Sequence, residues 1–410
     1  MPTRRTFSWA RTLLLLAVAG ASFLGGTICS RSIFGRPLPP GRALAQPARR
    51  ALAADESPTP TPTADVPQTL RIAPEFERQA ALLVGCNDVI EYHPRVFTAL
   101  VAAVRGKMPI IGTTLDENEG KLAARILVNA GLPADAVHFV PMNTQMAWVR
   151  DWGPLFVRRH DGSVVVPAFR SPLKSKWARD RFRGDAVAAR RLGEMLALDT
   201  MPVPACFVGG NMLFNGEGLC ASTTKLLAES RAQGLDKKAA AELLKETLGV
   251  TQWVLLPRLE GEVTGHVDMF VTLTAPNVAV VGRMDPADDP VNAGRLDEAA
   301  AILARQQTTR GPMQVHRVPM PPPIEDRWRT YTNVVYANGT LLVPTFADAD
   351  PAREAEALAL YRRLLSDWEV VGIRCDGLVH GKGLLHCITR GIPSFVPVDG
   401  LLTAARAADD

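Results

Sequence analysis

The chain has 410 residues, 47% of them hydrophobic, enough to bury one large core or two ordinary ones. Its net charge of +4 is gathered at the start: eight arginines and no Asp or Glu fall between Arg4 and Arg50, leaving 38 basic against 42 acidic residues beyond. The remainder is therefore slightly acidic, which excludes an electrostatic nucleic-acid surface.

Residues 1–30 read as a signal peptide or membrane anchor. Arg4 and Arg5 precede an apolar run from Leu13 to about Gly26, roughly half to two-thirds of a membrane span. The string Thr3-Arg4-Arg5-Thr6-Phe7 resembles a twin-arginine export signal, and Ala43-Leu44-Ala45 fits a cleavage site well beyond the apolar run. The protein is expected to be exported: periplasmic, secreted or held at a membrane by this segment alone. Residues 31–69 are rich in Pro, Ala and Thr and bury too little apolar area to fold, so they read as a tether. Residues 70–410 form the globular domain.

From there the elements recur. A strand over Ala80–Val84 leads into a helix over Pro94–Arg105. Helices are then expected at Asn118–Ala130, Asp185–Leu198, Lys237–Leu248, Arg295–Arg305 and Ala352–Asp367. Each is followed by a short apolar strand: Val137–Val140, Val203–Phe207, Trp253–Leu256, Val315–Val318 and Val370–Ile373. Tight turns fall at Asp161-Gly162, Asn215-Gly216, Pro276-Asn277 and Asn338-Gly339, spaced 54, 61 and 62 residues apart. The unit is ββαβ, repeated about five times. Five such units suggest radial closure, which covers sheet edges, and the fold expected is α/β with pseudo-symmetric units around an axis.

The polar clusters fall at one point of each unit: Trp148-Val149-Arg150-Asp151, Gly209-Gly210-Asn211, Gly265-His266-Val267-Asp268, Tyr331-Thr332-Asn333 and His386-Cys387. Radial units would bring them to one axial pocket. His266 and Asp268, two apart, would share one face of a strand and offer a general acid/base beside an anchor for a cation. Asp151 and Asp268 together could grip a planar guanidinium; as metal ligands they lack the further carboxylates or His and Cys that a metal would want. On a strand His386 would point away from Cys387. The six cysteines include no C-x-x-C pair, and outside the leader five remain, an odd number that leaves at least one thiol unpaired in an oxidising compartment. Cys387 follows a loop, His380-Gly381-Lys382-Gly383, whose glycines would let backbone approach a ligand.

This set resembles the agmatine deiminase and bacterial peptidylarginine deiminase family of guanidino-modifying enzymes. The resemblance rests on Trp148-Val-Arg-Asp151-Trp-Gly-Pro154, Gly209-Gly-Asn211, Gly265-His-Val-Asp268, Tyr331-Thr-Asn333 and Leu385-His-Cys387-Ile-Thr389, in family order from about Ile72 to Pro397. It implies a five-bladed α/β-propeller and a hydrolase working without metal or organic cofactor. It also implies roles: Asp151 and Asp268 hold the guanidinium, thiolate Cys387 attacks its carbon, and His266 moves the protons. Asn333 would orient the thiol or substrate, and Trp148 and Asn211 would line the substrate site.

Val208 stands where many relatives carry Glu, and Asn215 where they carry Asp. Arg170 and Lys174 suit a substrate carboxylate. These features and the export signal favour an arginine-containing peptide or free arginine, converted to citrulline and ammonia, with agmatine as the alternative. A cysteine peptidase would leave Asp151 and Asp268 without a joint role. A binding module impaired by Val208 and Asn215, and amidinotransfer to an amine, complete the alternatives.

Overall fold

The computed structural model describes residues 70–171 and 176–407. The expected leader and tether, with Cys29, lie outside the described residues, as does Lys174.

Five sheets of three or four strands carry the fold, and each repeats one pairing: two antiparallel strands, then a helical crossover to a parallel strand. In the first, Val157–Arg159 pairs with Val164–Phe169, and helix Arg183–Met195 leads to Asp199–Val203, with Leu70–Ile72 added at the other edge. The second joins Leu213–Phe214, Leu219–Thr223 and Gln252–Leu256 through helix Lys237–Leu248. The third joins Val271–Ala275, Val278–Arg283 and Gln314–Pro319 through helix Pro290–Ala304. The fourth joins Val335–Tyr336, Thr340–Thr345 and Glu369–Arg374 through helix Pro351–Leu364. In the fifth, Thr389–Pro393, the last strand of the described chain, lies antiparallel to Gln79–Gly85, the second. That sheet continues in parallel through Ile110–Thr114 and His138–Pro141.

Local chemistry explains where these elements start and turn. Asp116, Asp236, Asp289 and Asp350 each accept a hydrogen bond from a first-turn backbone N–H of the helix that follows, a cap worth about 1 kcal/mol. Pro290 and Pro351 sit at first helical positions, where no N–H is needed. Asn338 and Gly339 both have positive φ, 44° and 91°, the turn that matches the twist of a two-residue hairpin. The central strands are buried on both faces, Val280, Val281, Leu342 and Val343 among them, as parallel pairing under helices requires.

The helices and strands follow the expected order, with three informative differences. The strand expected at Val203–Phe207 is instead Asp199–Val203, because its partner strand Val164–Phe169 ends opposite Val203, with one further bond from Arg170 N to the Ala205 carbonyl. His266 and Asp268 are not on a strand: Val267–Met269 is a 3-10 turn with His266 capping it. Their shared environment comes from that turn, not from strand periodicity. Helix Thr224–Ala232 was not anticipated at all.

The largest buried cluster joins the fourth and fifth sheets around Phe97, Tyr331 and Tyr361. Tyr361 donates its hydroxyl to the backbone carbonyl of Tyr331 at 2.8 Å, two residues before Asn333. Tyr361→Phe should therefore cost about 1–2 kcal/mol, the penalty for a buried carbonyl left unpaired. Urea denaturation checks this; a cost within about 0.5 kcal/mol of zero contradicts the assigned bond.

Candidate active site

Five connections between sheets are drawn together at one buried place. Trp148 precedes a single helical turn, Val149–Trp152, that carries Asp151. The Arg150 backbone N–H donates to the carbonyl of Cys387 at 3.1 Å, and Arg150 Nε donates to the carbonyl of His386 at 3.1 Å. Residues 236 or 237 apart in sequence are thereby fixed side by side.

Gly210 N donates to Asp151 Oδ1 at 3.2 Å, and His266 Nδ1 lies 3.7 Å from the same oxygen. Glycine is required at 210: a Cβ there would stand 2.5 Å from His266 Nδ1 and 2.8 Å from Asp151 Oδ1. Asn211 is wholly engaged by protein. Its Oδ1 accepts from Thr223 N and Val267 N, and its Nδ2 donates to Thr223 Oγ1. This side chain, expected to line the substrate site, ties the second sheet to the turn that carries Asp268.

Asp268 is almost fully buried. Its Oδ2 lies 2.7 Å from His386 Nδ1, while its Oδ1 is buried with no hydrogen-bond partner among the described residues. Asn333 is completely buried and contacts both halves of the site: Nδ2 lies 3.5 Å from Cys387 Sγ and 3.5 Å from the Asp268 carbonyl, and Oδ1 accepts from His386 N at 2.9 Å. Cys387 is 7% exposed, reachable but largely desolvated. Burial, then the charges of Asp268 and Asp151, push its thiol pKa well above 9.0. At rest it is a protonated thiol.

The structure brings together Asp151, His266, Asp268, Asn333 and Cys387, and places other expectations differently. The glycines of the 380–383 loop admit Trp148, not a ligand: a Cβ on Gly383 would overlap the indole ring. Arg170 is exposed at the end of strand Val164–Phe169. His386 is not turned away on a strand; it lies in a turn before Thr389–Pro393 and points at Asp268. Its other nitrogen, Nε2, lies 2.8 Å from Glu75 Oε2, and Glu75 also pairs with Arg150. Glu75 escaped the sequence reading because it is a single acid 311 residues from its partner. Cys86, Cys220 and Cys375, like Cys387, are buried free thiols.

Residues 71–393 match the model of the Porphyromonas-type peptidyl-arginine deiminase family. An agmatine deiminase of Stutzerimonas stutzeri is 28% identical, over 73% of this chain and 86% of that one. An agmatine deiminase of Pseudomonas fluorescens is also 28% identical, over 65% and 79% respectively. In fold, the chain is similar to the agmatine deiminase of Enterococcus faecalis, with a TM-score of 0.70 at 21% identity over 80% of this chain and 97% of that one. The chain thus belongs to the Porphyromonas-type peptidyl-arginine deiminase family and is a deiminase, a hydrolase acting on the C–N bonds of guanidino groups.

Proposed function

We propose that this protein deiminates a small guanidino compound, with agmatine, converted to N-carbamoylputrescine and ammonia, as the first reading. One observation carries the chemistry: a buried thiol, a histidine paired to one carboxylate and a second carboxylate with a free oxygen share one enclosed place. Asp151 and Asp268 supply the acceptors that a planar guanidinium needs. A guanidinium bound between them neutralises the two charges that, after burial, hold the Cys387 thiol up, so the substrate itself promotes thiolate formation.

The Cys387 thiol passes its proton to His266, and the thiolate attacks the guanidinium carbon, forming a C–S bond. His266, protonated, gives its proton to the departing nitrogen, and the C–N bond breaks to release ammonia. The resulting thiouronium is attacked by water, from which His266 takes a proton. The C–S bond breaks, the proton of the added hydroxyl passes to sulfur and His266 gives its proton to the released ammonia, leaving the ureido product and restoring the thiol. Asn333 orients the sulfur throughout.

Agmatine takes precedence over the arginine peptide because the curated relatives above carry that name. Arg170 is exposed, and its suitability for a carboxylate rests on charge alone. Peptidyl arginine is the second reading. It is favoured by Val208, half-buried just before the turn at Gly209–Asn211, which offers no carboxylate to a substrate's free amine. The five sheets of like pairing, the last joining the final strand to the second, support a five-bladed α/β-propeller with the site on its axis. Residues 1–30 as an export signal or anchor, 31–69 as a tether and 70–410 as the catalytic domain complete the proposal, resting on composition.

Purified protein offered agmatine, free arginine and a blocked arginine peptide should release ammonia and a ureido product, fastest from agmatine, and Cys387→Ala should abolish both. Preference for the peptide reverses the order of the two readings. Amide cleavage without ureido product sinks the deiminase reading, and no turnover by the wild type favours a binding module.

The resting thiol makes a second, less intuitive prediction. Without substrate, alkylation of Cys387 by iodoacetamide, followed by mass spectrometry, should be slow near neutral pH and still rising above pH 9. Asp151→Asn or Asp268→Asn should speed alkylation at pH 8 about tenfold, the effect of 1.36 kcal/mol, while losing turnover. A rate already at its plateau at pH 7 contradicts the account.

A further inference from the structure

The mechanism above uses Asp268 but leaves unexplained how a carboxylate so deeply buried is kept charged and aimed. Its Oδ2 meets His386 Nδ1 at 2.7 Å, and His386 Nε2 meets Glu75 Oε2 at 2.8 Å. Glu75 in turn pairs with Arg150, whose backbone N–H and Nε hold the carbonyls of Cys387 and His386. Four side chains form one row: Asp268, His386, Glu75, Arg150. The far end of this row lines a separate cavity with Phe76, Tyr336 and Arg390, one whose walls include none of Asp151, His266 or Cys387. Both Glu75 oxygens are taken within the row, Oε1 by Arg150 and Oε2 by His386, so neither is offered to the substrate.

We infer that Glu75 and His386 are positioning residues for Asp268: they clamp one carboxylate oxygen so that the other, Oδ1, is presented alone to a guanidinium N–H. The inference rests on the deiminase reading for its consequence, though not for its geometry. Two carboxylates against the two nitrogens of one imidazole require a proton on each nitrogen, for a lone pair facing either carboxylate would repel it. The ring is then a cation between two anions. Burial and Arg150 oppose that charge, and Glu75 with Asp268 outweigh them, raising the His386 pKa above 6.5. Burial likewise opposes the Glu75 charge, and Arg150 with His386 and Arg390 reverses this, holding its carboxyl well below the usual range. Arg150, Glu75 and Asp268 are the charged groups facing the ring. Asp268 thus gains a fixed orientation and a counter-charge on the side away from the substrate, with no competitor for Oδ1.

A merely structural Glu75 would affect folding and turnover together; a positioning Glu75 separates them. Glu75→Gln keeps hydrogen-bonding capacity toward the ring but removes the charge, whereas Glu75→Ala removes both. With agmatine or a blocked arginine peptide, Glu75→Gln should lose about tenfold in kcat/KM and Glu75→Ala about a hundredfold, with the Gln variant melting within a few degrees of wild type. Independently of activity, nitrogen-15 spectra of histidine-labelled protein should show His386, assigned with His386→Asn, doubly protonated above pH 6.5. In Glu75→Gln its midpoint should fall toward the ordinary imidazole value.

Glu75→Ala turning over within threefold of wild type overturns the inference. So does a His386 midpoint near 6.5 that Glu75→Gln leaves unmoved. If the wild type forms no ureido product while the His386 midpoint still depends on Glu75, the deiminase reading fails and the clamp stands.

Discussion

A protein that binds a cation in a closed site must keep negative charge inside itself, and that constraint governs this molecule. Asp268 is 1% exposed, and an isolated carboxylate so buried would take up a proton instead of staying ionised. It stays useful only because the row of His386, Glu75 and Arg150 continues behind it with alternating sign. Asp151 meets the constraint differently. It keeps some exposure and shares its Oδ1 with Gly210 N and His266.

The same two carboxylates explain the state of the nucleophile. With the site empty, burial and then these two charges raise the Cys387 thiol and leave it unreactive; a guanidinium between them removes the part of the penalty that is due to charge. A reactive thiolate that existed permanently would be open to oxidation and stray alkylation. Coupling its formation to substrate charge restricts reactivity to the occupied site. The fold makes this arrangement affordable by taking the site from turns, while the sheets and helices around them carry the core.

Much of this was legible in the amino-acid order, for physical reasons that also mark where legibility stops. Turn dipeptides such as Asn338-Gly339 are local, since both residues need positive φ, so the repeat could be read from their spacing. Asp caps and apolar periodicity are local too, and the helix expected at Lys237–Leu248 is the helix found. Cys387, His266, Asp268, Asp151 and Asn333 emerged because each lies at the same point of its repeat. Glu75 and the orientation of His386 did not, because they depend on a contact between residues 311 apart. The 3-10 turn at Val267–Met269 was missed because Gly265-His-Val-Asp268 reads equally well as a short strand. Asn211 shows a subtler limit: hydrogen bonds to Thr223 and Val267 give its side chain a structural occupation that no spacing reveals.

The account stands on a covalent bond between Cys387 and the guanidinium carbon, and that bond can be weighed directly. Wild-type protein mixed with agmatine should be quenched in acid during turnover, and the peptide containing Cys387 analysed by mass. An adduct on Cys387 equal to the substrate less ammonia, absent from Cys387→Ser, is the result expected. An unmodified Cys387 throughout turnover, with ureido product still accumulating in Cys387→Ser, would contradict it.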